Sequence, residues 1–133
     1  MKVVIDTNIL MSALIKDSTT RKIIVKSNLE LYYPEVSLHE IRKYRSLILQ
    51  KSGMNEEGFT QLFNQLLSRI KIIPEEYIHK KLDEANKILG KIDPKDVVFL
   101  ATALSISDSV IWSDDRHFEK QDKVKVLKTG DLA

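Results

Sequence analysis

The stretch V-V-I-D-T-N-I-L, residues 3–10, decides the fold class. Its three leading apolar residues predict a short buried strand, and the apolar run that begins after Asn8 predicts a helix. A strand that passes directly into a helix is typical of an α/β fold with a parallel sheet. Asp6 stands at the junction, where it is either the cap of the helix or a ligand at the carboxyl end of the strand.

The rest of the chain repeats this alternation of strand and helix. We therefore expect a doubly wound α/β fold, in which a mostly parallel five-stranded sheet carries helices on both faces in three α/β/α layers. The predicted strands are residues 2–5, 29–33, 71–73, 110–112 and 124–127. The predicted helices are residues 9–15, 20–26, 37–50, 55–70, 75–89 and 94–106, with a short helix or turn at 114–120.

The composition predicts one domain, residues 1–133, that does not enter a membrane. Apolar residues make up 43% of the chain, which is enough for one core. Cysteine is absent, so disulfides, thiol nucleophiles and Cys-ligated zinc are excluded. The net charge of +2 permits nucleic-acid binding without requiring it. No apolar run approaches the roughly 18 residues of a membrane span, so we expect a cytoplasmic protein.

Two further acidic residues belong to helix-capping patterns. Glu40 follows Ser37 in S-L-H-E, which is a capping box. Asp96 follows Asp93 in D-P-K-D, where Asp93 is predicted to cap a helix that begins at Pro94. Capping alone is therefore a sufficient explanation for each of these residues taken singly.

Topology favours a second role, because the acids fall at one edge of the predicted sheet. Asp6 directly follows the first strand, and Asp114 and Asp115 directly follow the fourth. Glu40 lies near the start of the helix after the second strand. The helix that Asp96 opens leads through a short loop into the fourth strand, so its N-terminus lies at the same edge. Caps do not require acids there, because Ser, Thr or Asn serve equally well.

A cluster of carboxylates calls for a cation, because like charges raise one another's pKa. Oxygen ligands without Cys indicate Mg²⁺ or Mn²⁺ rather than zinc. Such cations activate water and stabilise an in-line displacement at a phosphodiester. The acids therefore predict metal-dependent phosphodiester hydrolysis.

Four motifs resemble those of the PIN domain (PilT N-terminus) family of ribonucleases, in particular its short VapC-type toxins. Residues 3–10 resemble the first motif, and Y-Y-P-E-V-S-L-H-E-I at 32–41 resembles the second. D-P-K-D-V-V-F-L-A-T-A-L at 93–104 resembles the third, an acid that opens an Ala-rich buried helix. I-W-S-D-D-R-H-F at 111–118 resembles the fourth. The likeness spans nearly the whole chain, with the motifs in the family's order.

The resemblance implies that Asp6, Glu40, Asp96 and Asp115 are the catalytic, metal-binding acids, with Mg²⁺ or Mn²⁺ as the cofactor. Asp115 fits the register of the fourth motif, Ser-x-Asp-x-x-Phe. Asp114 is the alternative ligand at that position, because other spacings in the family favour it.

The resemblance also implies supporting residues around these acids. Asn8 and Thr7 would orient the first acid, although a capping role explains both equally well. Ser113 takes the place of a usual Thr. His117 stands where many relatives carry a further Asp, so a fifth acidic ligand is missing from the motif. Asp93 is either the helix cap described above or an outer partner of the metal ligands.

Basic residues near the motifs are candidate RNA contacts. Arg42, Lys43 and Arg45 lie on the helix that carries Glu40, and Arg116 follows the fourth acid. These side chains could meet an RNA backbone. The alternative is a solvated helix face.

Aromatic and apolar residues have two explanations each. Tyr32, Tyr33 and Tyr44 could stack on bases, but packing in the core or at its rim is the favoured explanation. The apolar faces of residues 59–70 and 78–89 could form a homodimer interface or a groove for an antitoxin peptide, and packing into the core is again favoured.

Together with the predicted acid cluster, the resemblance implies an endoribonuclease that hydrolyses RNA with a Mg²⁺- or Mn²⁺-activated water. By resemblance it is the toxin of a toxin–antitoxin pair, with an antitoxin protein as partner. One alternative is a PIN-fold module that binds RNA or protein with little catalysis. A phosphate-receiver domain also has acids at strand ends, but it needs an acid pair after the first strand, where Asp6 stands alone.

Overall fold

The computed structural model describes residues 1–91 and 94–133, and five parallel strands form the centre of this part of the chain. In chain order they are β1 (Lys2–Ile5), β2 (Glu30–Pro34), β3 (Ile70–Ile73), β4 (Ser109–Trp112) and β5 (Val126–Leu127). Their order in the sheet is β3-β2-β1-β4-β5, and every pairing is parallel.

Helices and short 3₁₀ turns connect these strands. The helices are α1 (Thr7–Ile15), α2 (Thr19–Lys26), α3 (Leu38–Lys43), α4 (Arg45–Ser52), α5 (Glu56–Leu67), α6 (Glu75–Ile78), α7 (Leu82–Leu89), α8 (Val97–Ser105) and α9 (Thr129–Leu132). The 3₁₀ turns are Glu35–Ser37, His79–Lys81, Pro94–Asp96 and Arg116–Lys120.

The doubly wound fold is confirmed by the direction in which the chain builds the sheet. From β1 it moves outward through β2 to β3, then returns to the other side of β1 with β4 and β5. Right-handed crossovers in opposite directions put their helices on opposite faces of the sheet. The reversal lies between β1 and β4, where Ile5 pairs with Trp112. In such sheets a crevice opens beyond the carboxyl ends of the strands at the reversal.

The apolar run of β1 exists because that strand is covered on both faces. Val3, Val4 and Ile5 have no exposed surface. Strands buried on both sides read as continuous apolar runs rather than as an alternating pattern. The same reasoning explains α8, where burial extends around the helix and leaves Phe99 and Leu100 almost fully enclosed.

The predicted single helix at 37–50 is wrong, because the chain breaks at Tyr44. The backbone there leaves helical geometry, with φ −97° and ψ 13°, and separates α3 from α4. The predicted capping box at Ser37 is also absent: its backbone is already helical and its side chain makes no capping hydrogen bond. Helix α4 ends at Gly53, whose φ of 75° suits a residue without a Cβ.

Other predicted boundaries also need correction. Residue Ile70 ends the predicted helix 55–70 but opens β3, and a 3₁₀ turn at His79–Lys81 interrupts the predicted helix 75–89. The helix predicted from Pro94 starts with a 3₁₀ turn before α8. Strand β5 is shorter than predicted, and α9 was not predicted. The predicted cap at Asp93 lies outside the described residues.

The apolar faces of α5 and α7 pack into the core. Phe59 and Leu66 of α5 are buried, as are Ala85 and Leu89 of α7. Packing into the core is therefore sufficient to explain why these helix faces are apolar. In the described ranges, no helix combines the length and the apolar character needed to cross a membrane.

The buried hydroxyl of Tyr33 ties together three elements next to the crevice. It donates a hydrogen bond to the carbonyl oxygen of Ser37 at 2.9 Å, just before α3. It also lies 2.8 Å from the hydroxyl of Thr7, at the start of α1. Because the hydrogen of Tyr33 is used in the bond to Ser37, Thr7 is the donor in this second bond. Burial raises the pKa of Tyr33 well above its ordinary value, so the phenol stays protonated and can donate. The end of β2 thereby fixes the positions of α1 and α3.

We predict that Tyr33→Phe lowers the free energy of unfolding by about 1–3 kcal/mol, because two buried oxygens lose a partner. Urea denaturation followed by circular dichroism measures the change. Tyr32→Phe is the matched control: within the described residues, the Tyr32 hydroxyl donates to Glu30 at 3.1 Å in a partly exposed position. Its loss should cost less than about 1 kcal/mol. Equal losses in the two variants would contradict this account.

Candidate functional site

A cleft of about 280 Å³ opens where the carboxyl ends of β1 and β4 meet. Four of its lining residues are acids, and each comes from a different part of the chain. They are Asp6 after β1, Glu40 on α3, Asp96 before α8 and Asp115 after β4. Asp6 and Asp96 are buried, whereas Glu40 and Asp115 are half-buried.

Asp6 caps α1 and at the same time faces the cleft. Its Oδ1 accepts a hydrogen bond from the backbone N–H of Ile9 at 2.9 Å. Its Oδ2 accepts a second bond from the hydroxyl of Ser113. Burial raises the pKa of Asp6 from 3.8 to about 6, although both hydrogen bonds oppose that rise. The negative charges of Asp115 and Asp114 add to the rise. The capping explanation is thus correct for Asp6, but it does not account for the other acids beside it.

Ser113 connects two of the acids through its hydroxyl group. The hydroxyl donates to Asp6 and accepts from the backbone N–H of Asp115 at 3.0 Å. The backbone N–H of Ser113 donates to Leu127 in the neighbouring strand at 3.0 Å. The side chain is 1% exposed, so these bonds form away from solvent. Ser113 therefore fixes the loop after β4 relative to the end of β1.

The adjacent residues Asp114 and Asp115 point to different places. The Asp114 carboxylate accepts from the backbone N–H of Thr129 at 2.9 Å and from its hydroxyl at 2.8 Å. The indole N–H of Trp112 donates to the same hydroxyl at 3.0 Å. Asp114 thus fixes the start of α9, whereas Asp115 lines the cleft.

Asp96 and Asp115 meet at the side chain of His117. The Nδ1 atom of His117 lies 3.4 Å from Oδ2 of Asp96 and 3.4 Å from Oδ1 of Asp115. Asp115 also accepts the backbone N–H of His117 at 2.9 Å, which starts the 3₁₀ turn. The ring of Phe118 is fully buried and fixes that turn against the core. From the sequence, a single His beside an acid gave no reason to expect this contact.

The other predicted residues are divided between the cleft and the scaffold. Asn8 lines the cleft and is exposed, whereas Thr7 is buried and contacts Tyr33. Tyr32 and Tyr33 are buried, so neither ring is available for base stacking. Tyr44 lines the cleft.

The predicted basic RNA contacts lie on the surface around the cleft rather than in its lining. Arg45 pairs with Glu56, and its guanidinium lies 5.2 Å from the ring centre of Phe59. The ammonium group of Lys43 lies 5.5 Å from the ring centre of Tyr44. Arg42 and Arg116 are exposed.

Lys95 also lines the cleft, although no motif in the sequence identifies it as a site residue. Its position next to Asp96 in D-P-K-D is the feature of the sequence that could have indicated it. The apolar lining residues were not identified either, because an apolar side chain at a site looks like core in a sequence. They are Met11, Leu47 and Phe99.

A second cavity, of about 290 Å³, adjoins the cleft and shares Glu40, Tyr44 and Lys95 with it. Its further lining includes apolar side chains of α6, α7 and α8. These are Ile78, Leu82 and Val98. The acidic cleft therefore has a partly apolar surface beside it.

The PIN domain family matches residues 4–129. The chain therefore belongs to the PIN domain family. A comparison with curated protein sequences gave no significant match.

Two solved structures share the fold at low sequence identity. One shows VapBC2 from Rickettsia felis bound to a DNA fragment from its promoter. The match has 17% identity and a TM-score of 0.71, and it covers 96% of this chain and 98% of the other. The second shows VapBC-1 from nontypeable Haemophilus influenzae. It has 20% identity and a TM-score of 0.69, with coverage of 98% and 99%.

We predict that the stability of Asp6→Asn relative to wild type, both without metal, rises as the pH rises. The folded chain holds the Asp6 proton more tightly than the unfolded chain does, so ionisation opposes folding. The stabilisation that the protonated Asp6 contributes is fully present below about pH 4 and is lost as the pH rises through about 6. Asn keeps the cap but cannot ionise. The stability of the variant relative to wild type should rise by about 2 kcal/mol between about pH 4.5 and about pH 8.

The measurement is urea denaturation in EDTA across this pH range. Asp17→Asn is the control, because Asp17 is exposed in the loop between α1 and α2. Its stability difference from wild type should stay nearly constant with pH. A constant difference for Asp6→Asn as well would show that ionisation of Asp6 does not oppose folding.

Proposed function

We propose that this protein is an endoribonuclease that hydrolyses RNA phosphodiester bonds with Mg²⁺ or Mn²⁺ held by Asp6, Glu40, Asp96 and Asp115. One observation carries the proposal: four acids from four separate segments line one cleft at the reversal point of the sheet. Membership of the PIN domain family supports a nuclease activity.

The donor set fits a hard divalent cation. The four acids offer carboxylate oxygens, which are the ligands that Mg²⁺ and Mn²⁺ prefer. Asp6 is kept in a buried position where ionisation is unfavourable without a compensating positive charge. The four acids would hold a cation that would supply this charge, and its chemistry would be to lower the pKa of a water in the cleft and to offset negative charge on the scissile phosphate.

The side chains of the protein prepare the cleft for this chemistry. Ser113 holds the second oxygen of Asp6, so that carboxylate is fixed before any cation binds. Tyr33 fixes the start of α3 through Ser37, and α3 carries Glu40. Lys95 in the cleft and the exposed basic groups around it can contact RNA phosphates. Those groups are Arg42, Lys43, Arg45 and Arg116.

We further propose that the chain is the toxin of a toxin–antitoxin pair and acts on RNA in the cytoplasm. The two solved structures of the same fold are VapBC complexes, which supports an antitoxin protein as partner. The partly apolar cavity beside the cleft offers a surface for such a partner. The prediction of a homodimer rests on the apolar faces of residues 59–70 and 78–89, whose side chains largely pack into the core, and it stays a prediction.

We predict that Asp115→Asn lowers RNA cleavage by at least about 100-fold, because changes to groups that only support metal ligands already cost 10–100-fold. Asn can still accept the N–H of His117, so the fold should be retained. Cleavage of a single-stranded RNA by the purified protein, with Mg²⁺ or Mn²⁺ added, measures the change. The divalent ion should also stabilise wild type, but not this variant, against thermal unfolding.

Asp114→Asn is the matched control for this experiment. It makes the same chemical change one residue away, but its carboxylate contacts Thr129 instead of the cleft. It should cleave RNA nearly as fast as wild type and lose about 1 kcal/mol of stability. If Asp114→Asn loses cleavage and Asp115→Asn keeps it, the fourth ligand is wrongly assigned. If wild type binds RNA without cutting it, the protein is a binding module.

A further inference from the structure

We infer that His117 donates an imidazole nitrogen to the cation held between Asp96 and Asp115, and that this ligand makes the site select Mn²⁺ over Mg²⁺. The inference rests on the proposed metal site and adds a specificity-determining residue to it. The four-acid assignment does not include His117 among the ligands.

The first reason is the distance between the donor atoms. Nδ1 of His117 is 3.4 Å from one carboxylate oxygen of Asp96 and 3.4 Å from one of Asp115. One ligand atom from each of these residues lies within 4.8 Å of the others. Two ligands at right angles, each about 2.1 Å from a cation, lie about 3.0 Å apart. A shift of a few tenths of an ångström would therefore let all three atoms contact one ion.

The second reason is how the protein holds the imidazole. The backbone of His117 is fixed by its N–H bond to Asp115 and by the buried ring of Phe118. Its side chain is 42% exposed, so the ring can adjust at the rim of the cleft without disturbing the core. The side chain of Asp96, by contrast, is only 10% exposed. The site thus combines fixed carboxylates with one adjustable nitrogen ligand.

The third reason is the chemistry of the two cations. Mg²⁺ is bound through oxygen and keeps several waters, so an imidazole contributes little to its binding. The affinity of nitrogen-containing sites rises along the first transition series from Mn²⁺ onward. Mn²⁺ also accepts the oxygen-rich, octahedral surroundings that the acids provide. One nitrogen among carboxylates therefore favours Mn²⁺ over Mg²⁺.

Pulsed electron paramagnetic resonance of the Mn²⁺-loaded protein tests the inference, because it detects ¹⁴N coupled to the bound ion. The chain contains three histidines, His39, His79 and His117, so the source of a signal can be assigned by substitution. We expect the ¹⁴N coupling in wild type and its loss in His117→Asn and His117→Asp. His79→Asn is the matched control, because His79 is an exposed residue in another 3₁₀ turn. It should keep the coupling.

Competition between Mn²⁺ and Mg²⁺ gives the selectivity. In His117→Asp the ratio of the two affinities should shift toward Mg²⁺ by about tenfold or more, because the ligand set becomes all oxygen. Bound Mn²⁺ without ¹⁴N coupling, or a ratio unchanged in His117→Asp, overturns the inference and leaves the proposed four-acid site intact. Absence of Mn²⁺ binding in wild type overturns the proposed site itself.

Discussion

The hydrogen bond from Ser113 to the buried carboxylate of Asp6 is the interaction on which the site depends. It joins the end of β1 to the end of β4, the two strands between which the sheet reverses. The same hydroxyl accepts the N–H of Asp115, so the loop that carries this acid is fixed to the first. The bond also lowers the pKa of Asp6 against the larger opposing effect of burial. The fold therefore places a carboxylate where its charge is unfavourable unless a cation is present.

Capping and metal binding are compatible in this arrangement. Asp6 caps α1 with one oxygen, and Asp115 caps the 3₁₀ turn that begins at Arg116. A cap fixes the side chain and therefore limits the reorganisation that ligand binding would otherwise require. Asp114 shows the contrasting case, since both of its oxygens accept from Thr129 and it does not line the cleft.

The sheet and the shared edge were predictable because both follow from strand and helix order. Apolar runs such as residues 3–5 show a strand buried on both faces, and parallel strands bring their carboxyl ends together. The break at Tyr44 was not predictable, because the helical pattern continues through it and tertiary packing decides the outcome. The contact of His117 with Asp96 joins residues far apart in sequence. The Asp114 side chain points away from the cleft because it bonds Thr129. No local sequence pattern connects these two residues.

The central claim is that these four carboxylates share a divalent cation. Crystals of the protein grown with Mn²⁺ test it directly, because the anomalous scattering of manganese locates the ion independently of the chain. We expect an anomalous peak inside the cleft, within direct or water-mediated reach of Asp6, Glu40, Asp96 and Asp115. A cleft without such a peak at saturating Mn²⁺, with Asp6 bonded only to Ile9 and Ser113, would contradict it and leave Asp6 as a helix cap.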